Sequence, residues 1–194
     1  QEITYEAELG HVFKDVLKIS PDGVEWKGQR IPLDSISHLR WGGTKHYVNG
    51  IPTGTTYSVY LAANSNTINI QLKNDKIYGE FVERLWRAVG ARILTEMLEG
   101  LKEGRKYNFG NSVVDDYGVE LVRRHAFKAN EKVHCKWSNL VIGNANGGFF
   151  IAKKDERKVA VQLSYQEVDN VHILEAAMRM FWKRASSRIS NLLE

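Results

Sequence analysis

At 194 residues, with 43% hydrophobic and 26% charged side chains, the chain has too much apolar material for a disordered segment and enough for a packed core, as one large domain or two of about a hundred residues. Its single cysteine, Cys135, excludes an intrachain disulfide and a cysteine-based zinc site and points to a reducing, cytoplasmic setting, while no stretch approaches the roughly 20 apolar residues of a membrane span. The net charge of +4 is uneven: residues 1–97 hold eleven basic and eleven acidic side chains, residues 98–194 sixteen and twelve, so an anionic partner is expected in the second half.

The N-terminal QEITYEAELG is acidic where a signal peptide would be basic, and a start at Gln1 rather than Met leads to the expectation of a portion of a longer chain or assembly. Taken in order, alternation at period two predicts strands at 11–19 (HVFKDVLKI), 24–33 (VEWKGQRIPL), 36–41 (ISHLRW), 57–63 (YSVYLAA) and 67–72 (TINIQL), with turns at SPDG and ANSN. The intervening GGTKHYVNGIPTGTTY reads as a long irregular loop. A helix is predicted from about Asp75 to Lys102, its apolar side built from Tyr78, Val82, Leu85, Trp86, Val89 and Ile93. Strands then recur at 111–114, 119–127, 133–137, 147–154 and 158–165, with turns DDYG, NANGG and KDER, followed by a helix carrying Ile173, Ala177, Met180, Phe181 and Leu192.

The two halves are copies of one unit. At an offset of 96, Trp86, Arg87, Arg92 and Ile93 match Trp182, Lys183, Arg188 and Ile189, and His38-Leu39-Arg40-Trp41 matches His134-Cys135-Lys136-Trp137. DGVE at 22–25 matches YGVE at 117–120, and the alternation of Ile68, Ile70 and Leu72 matches that of Val159, Val161 and Leu163. Each copy reads as antiparallel hairpins closed by one amphipathic helix, with Trp86 and Trp182 expected to plug the open end of the sheet.

This order of elements resembles the pleckstrin-homology-like superfold in its bacterial PH and GRAM-like branches. The residues carrying the resemblance are a strand ending in a Gly hairpin (KISPDGVEW, SVVDDYGVEL), the following IPLDSISHLRW or KANEKVHCKW, and the terminal helix. It implies a mainly β fold (β-barrel or α+β) of two tandem PH-like domains, 1–100 and 101–194, each a bent antiparallel sheet capped by one helix. It also implies a non-catalytic binding module for lipid headgroups, phosphopeptides or protein surfaces. Family members that bind phosphoinositides place basic residues around the first hairpin, which on this reading holds SPDG and DDYG, where Asp22, Asp115 and Asp116 would repel a phosphate.

The candidate ligand-binding residues are Arg123 and Arg124 with Lys153, Lys154, Arg157 and Lys158, expected to converge on one edge of the second copy. The candidate partner-binding loop carries Lys45, His46 and Tyr47. His38 and His134 are expected to point outward with Arg40 and Lys136, opposite Leu39, Trp41, Cys135 and Trp137, and no ligand set for a metal stands around them. No phosphate-cradling loop, nucleophile elbow or paired carboxylates is found, so the expectation is no enzyme, no cofactor and no metal. A protein partner leads, an anionic membrane surface with peripheral attachment comes second and a small-molecule enzyme third. Nucleic acid is disfavoured because a dense Lys/Arg stripe is lacking.

Overall fold

The computed structural model describes residues 2–194 and divides into two compact units, one ending at Ile93 and the other beginning at Leu94. The division falls inside the long helix, earlier than the repeat alone placed it. The fold is mainly β, with three open sheets among the described residues, all of whose strand pairs are antiparallel. Among the described residues none of these sheets closes into a barrel.

In the first unit, β1 (Tyr5–Leu9), β2 (Asp15–Ser20), β3 (Gly23–Trp26) and β4 (Gln29–Ile31) make a four-stranded sheet in chain order. β5 (His38–Val48), β6 (Ile51–Ala62) and β7 (Thr67–Leu72) make a second sheet. Period-two patterning sets the register: Leu39 faces Leu61 and Leu61 faces Ile68, while Trp41 faces Val59 and Val59 faces Ile70, all buried. In the first sheet the buried pairs are Leu17 with Trp26 and Ile19 with Val24.

α1 (Asp75–Leu85) opens at Asn74, whose side chain accepts a 3.0 Å bond from the Ile77 N–H, satisfying one of the helix's orphan donors. A single π turn, Trp86–Gly90, joins it to α2 (Ala91–Lys102), so the predicted span from 75 to 102 is one helical run. Phe81, Leu85 and Val89 are fully buried at i, i+4 and i+8.

The second unit repeats the plan with one difference. β8 (Tyr107–Phe109), β9 (Ser112–Asp115), β10 (Gly118–Arg123) and β11 (Glu131–Lys136) again pair in chain order, and so do β12 (Leu140–Ala145), β13 (Gly148–Lys153) and β14 (Val159–Ser164). Here β10 also pairs with β14 at Val122–Ala160 and Arg123–Val159, which joins both groups into one seven-stranded sheet. α3 (Val171–Phe181) follows, burying Ile173, Leu174, Ala177, Met178 and Phe181, and a short 3-10 helix ends the unit at Ile189–Leu193.

Several expectations need correction. Strands β1, β8 and β12 escaped the sequence pattern, the first because its alternation is weakly apolar, with the small Ala7 at its centre and its inward residues only half-buried, the second because it has only three residues, the third because Gly143 interrupts its apolar run. Since β1 and β8 precede them, the acidic turns SPDG and DDYG belong to the second hairpin of each unit, not the first. The segment 42–57 is not an irregular loop: β5 and β6 stay paired out to Val48–Ile51, closed by Asn49 and Gly50 with φ of 49° and 81°, the left-handed pair that a two-residue hairpin needs. The second helix stops at Phe181, so Leu192 belongs to the separate 3-10 turn and not to the helix face.

Candidate functional site

Strand alternation divides the expected basic cluster. Arg123 turns to a carboxylate pair: its Nε and Nη2 donate to the two Glu156 oxygens at 2.9 and 2.8 Å, and Nη1 donates to Glu131 at 2.8 Å. These bonds hold both glutamate carboxyls below their ordinary range and push the guanidinium up. Lys153 joins the same network, 3.4 Å from Asp155 and 3.7 Å from Glu156. The cations of this group are paired with carboxylates of the β13–β14 turn and of β11. Arg124, one residue on, lines a different depression with Asn130, Gln162 and Glu167, and Arg157 and Lys158 remain exposed. Arg123 and Lys153 thus share one ion-pair network, Arg124 lines one depression, and Lys154 lines another.

Lys154, just past the end of β13, lines a pocket that the sequence did not disclose. Its backbone N–H donates to the Asn139 carbonyl at 2.7 Å, tying the β13–β14 turn to the connection after β11. That tie sets Lys154 beside Lys136 and Ser138 on a cavity of about 620 Å³, completed by Trp137, Phe181, Trp182, Arg184, Ser186 and Ser187. Trp137 is buried and anchored, its indole N–H donating to the Asp116 carbonyl at 2.9 Å, and it meets Phe181 edge to face at 6.1 Å. Arg184 is steadied by a 2.8 Å bond to the Asn191 carbonyl. Lys136 and Lys154 make no ion pair among the described residues, and no Asp or Glu lines the cavity.

The clasp behind the pocket is Asp116, itself buried at 4% exposure. Its carboxylate accepts from Arg188 Nε, the Ser190 N–H and the Ser190 hydroxyl, each at 2.8 Å, and its carbonyl also accepts the Ile189 N–H. The acidic turn therefore pins the C-terminal segment rather than repelling a ligand. Trp182, expected as a plug, stands 47% exposed, because Phe181 takes the place against Trp137 that Trp86 takes against Trp41 in the first unit at 6.5 Å.

A second cavity of about 1010 Å³ adjoins the first through Trp182 and Arg184. It is lined mainly by apolar side chains, Leu94, Leu98, Ile142, Met180, Leu192 and Leu193, with Arg179 and Lys183 at its rim and again no carboxylate. Met180 is 45% exposed, and Ile142 lies on β12, the open edge of the sheet. Tyr165 is held by Glu175 and Asn144, and burial with the Glu175 contact pushes its hydroxyl pKa up.

In the first unit, Lys45, His46 and Tyr47 lie on the exposed end of the β5–β6 hairpin, with His46 Nε2 2.8 Å from Thr56 Oγ1 and with Tyr47, Val48 and Ile51 in solvent. The exposed aromatics that the sequence reading passed over share a repeated signal: His11-Val12-Phe13-Lys14 between β1 and β2, and His125-Ala126-Phe127-Lys128 between β10 and β11. Phe13 is 90% and Phe127 103% exposed. His134 faces out as expected, with Nε2 2.8 Å from Asp115, and burial raises the Cys135 thiol pKa. Among the described residues no group of three His, Cys, Asp or Glu side chains could hold a metal, and no helix is long and apolar enough to cross a membrane. No family model, curated protein or solved structure matches the chain.

Proposed function

We propose that the chain is a tandem pair of PH-like domains acting as a non-catalytic recognition module, and that its second unit takes an extended protein segment bearing apolar and acidic side chains. Four strands, three strands and a helix, in that order in both units, support the PH-like reading. One observation carries the ligand class: two adjoining cavities, one apolar and one basic, have no carboxylate in their lining. The apolar cavity contributes burial of the partner's side chains, the rim cations of Lys183 and Arg184 contribute charge complementarity, and the free edge of β12 offers backbone hydrogen bonds to an added strand. Peptide display on the whole chain, with parallel selection on Met180→Glu, tests it. Wild type should enrich sequences combining aliphatic or aromatic residues with acids, and the variant should not. Equal enrichment on both would overturn the groove.

A second reading rests on the two His-x-Phe-Lys loops, whose phenyl rings project instead of lining a hollow. A projecting aromatic beside a cation suits the interface of an anionic bilayer. On this reading vesicles with phosphatidylserine sediment the chain, and Phe13→Ser with Phe127→Ser releases it; unchanged sedimentation of that double variant removes the reading.

A further inference from the structure

We infer that β12 is a self-association edge: two copies of the chain pair their β12 strands antiparallel about a two-fold axis through Ile142. The pairing stands on β12 alone. Its consequence rests on the proposed function, because a second copy seated on that edge takes the place of an added partner strand and so regulates access to the groove.

Hydrogen-bond directions fix the register. In an antiparallel ladder, residue pairs alternate between those that exchange both backbone bonds and those that exchange none. The Lys154 N–H donates to the Asn139 carbonyl, and the two-residue turn Asn146-Gly147 closes the ladder at Ala145–Gly148, so Val141, Gly143 and Ala145 direct their backbone groups to β13. Leu140, Ile142 and Asn144 direct theirs to the open side, where no strand pairs with β12 among the described residues. Ile142 is the middle one of these outward residues. When it stands opposite its own copy, Leu140 stands opposite Asn144 of the other copy, and every outward N–H and C=O of both strands finds a partner.

The sequence leaves this edge bare. β12 reads LVIGNA, without Lys, Arg, Asp, Glu or Pro, and its ladder with β13 runs without a register shift. Sheets guard an edge with charge, shortness or a bulge, because unpaired backbone groups are a template for another strand. In the same sheet β8 has only three residues, and β11 carries Glu131, Lys132, His134 and Lys136. The counterpart of β12 in the first unit, β5, carries Arg40, Lys45 and a bulge between His46 and Tyr47. None of these guards is present on β12.

Side chains favour the same occupant. Leu140, Ile142 and Asn144 share the face of β12 turned to α3: Leu140 is buried, Ile142 lines the apolar cavity and the Asn144 amide donates to Glu175 at 2.8 Å. Pairing about Ile142 sets the two apolar cavities next to each other across the axis, where the exposed Met180 and Leu193 gain cover. A two-fold interface requires one patch that complements itself, and an uncharged strand with an apolar cavity beside it meets that requirement.

Sedimentation velocity on the whole chain tests the inference and should show a monomer–dimer equilibrium between about 1 μM and 1 mM. Ile142→Lys sets two ammonium groups side by side at the axis and should raise the dissociation constant by about tenfold or more. Ile142→Pro removes only an outward N–H, keeps the ladder to β13 and should do the same. Ile142→Cys should form a disulfide-linked dimer on air oxidation, since opposite residues of a bonded pair lie at a Cα separation of about 5.5 Å. The buried Cys135 does not compete. A wild-type chain that stays monomeric throughout, an Ile142→Lys chain that dimerises like wild type, or an Ile142→Cys chain with the wild-type NMR spectrum and no cross-link would overturn the inference. Peptides selected on the chain should convert dimer to monomer, and a dimer that keeps its mass with peptide bound would overturn the regulation. Peptide selection that depends on Met180 in a strictly monomeric chain would sink the dimer and leave the groove standing. A dimer lost in Ile142→Lys, with selection indifferent to Met180, would remove the groove alone.

Discussion

The helix ends differently in the two units, and the residues after α3 in the second unit line a cavity. In the first, the chain passes from α1 through a π turn into α2 without leaving the helix, and Arg92 turns back to donate to the carbonyls of Leu33 and Ile36 at 3.1 and 2.6 Å. In the second, α3 stops at Phe181, the next residues run as an open segment, and the matching Arg188 donates to Asp116. One arginine position thus fastens a helix to the short 3-10 turn at Leu33–Ser35 in one copy and a C-terminal strap to a hairpin turn in the other. Where the helix is replaced by a strap, Trp182, Arg184, Ser186 and Ser187 are released to line a cavity.

The strongest test of this contrast lies at the aromatic contacts. Phe181→Ala should cost about 3–4 kcal/mol in denaturant unfolding, like Trp86→Ala in the other unit at about 3, whereas Trp182→Ala should cost less than ~1. A large loss at Trp182 would restore it as a plug. Next comes the clasp: Asp116→Ala removes three hydrogen bonds at a buried carboxylate and should cost roughly 2–3 kcal/mol. Faster hydrogen exchange should be confined to residues 186–193. Uniform acceleration across the unit would show that the strap is part of the core.

Gly90→Ala is a sharper probe of the π turn. A Cβ there would meet the Trp86 ring at 2.5 Å, so the substitution should destabilise by about 1 kcal/mol despite alanine's better helix propensity. A gain in stability would mean that the ring moves aside freely.

The smallest effect expected is a pH dependence in the first unit. Tyr78, stacked on Tyr57 at 4.5 Å, has its pKa pushed up to about 12 by burial and then by Tyr57, against about 10 in the unfolded chain. Its contribution is present in full below pH 10. Stability falls between about pH 10 and 12, where the unfolded chain releases the proton that the folded one keeps. Tyr78→Phe should flatten that decline in fluorescence-monitored unfolding, and an unchanged slope would assign it elsewhere.

Legibility followed periodicity. The helix from Asp75 to Lys102, the ladder of Leu39, Trp41, Ile68 and Ile70, and the outward His38 and His134 were readable because each depends on spacing along one strand or helix. The short β8 and the weakly apolar β1 were not, and missing them moved the acidic turns to the wrong hairpin. The candidate site was read least well. Of the six basic residues singled out, only Lys154 lines the pocket; Lys136 was legible only as an outward-facing strand residue, and Arg184 had no local signal to mark it.

By itself the sequence determined that this protein is mainly β with amphipathic helices and that it repeats. Alternation and helical period are local properties, imposed by the backbone wherever one face must leave water. Only the tertiary structure decided which cations are free. Arg123 and Lys153 are neutralised by glutamates and an aspartate that strand pairing and the β13–β14 turn bring to them, while Lys136, Lys154 and Arg184, at positions up to 48 residues apart, line one cavity. Whether a charge is paired or available depends on its neighbours in space, and chain spacing does not encode them.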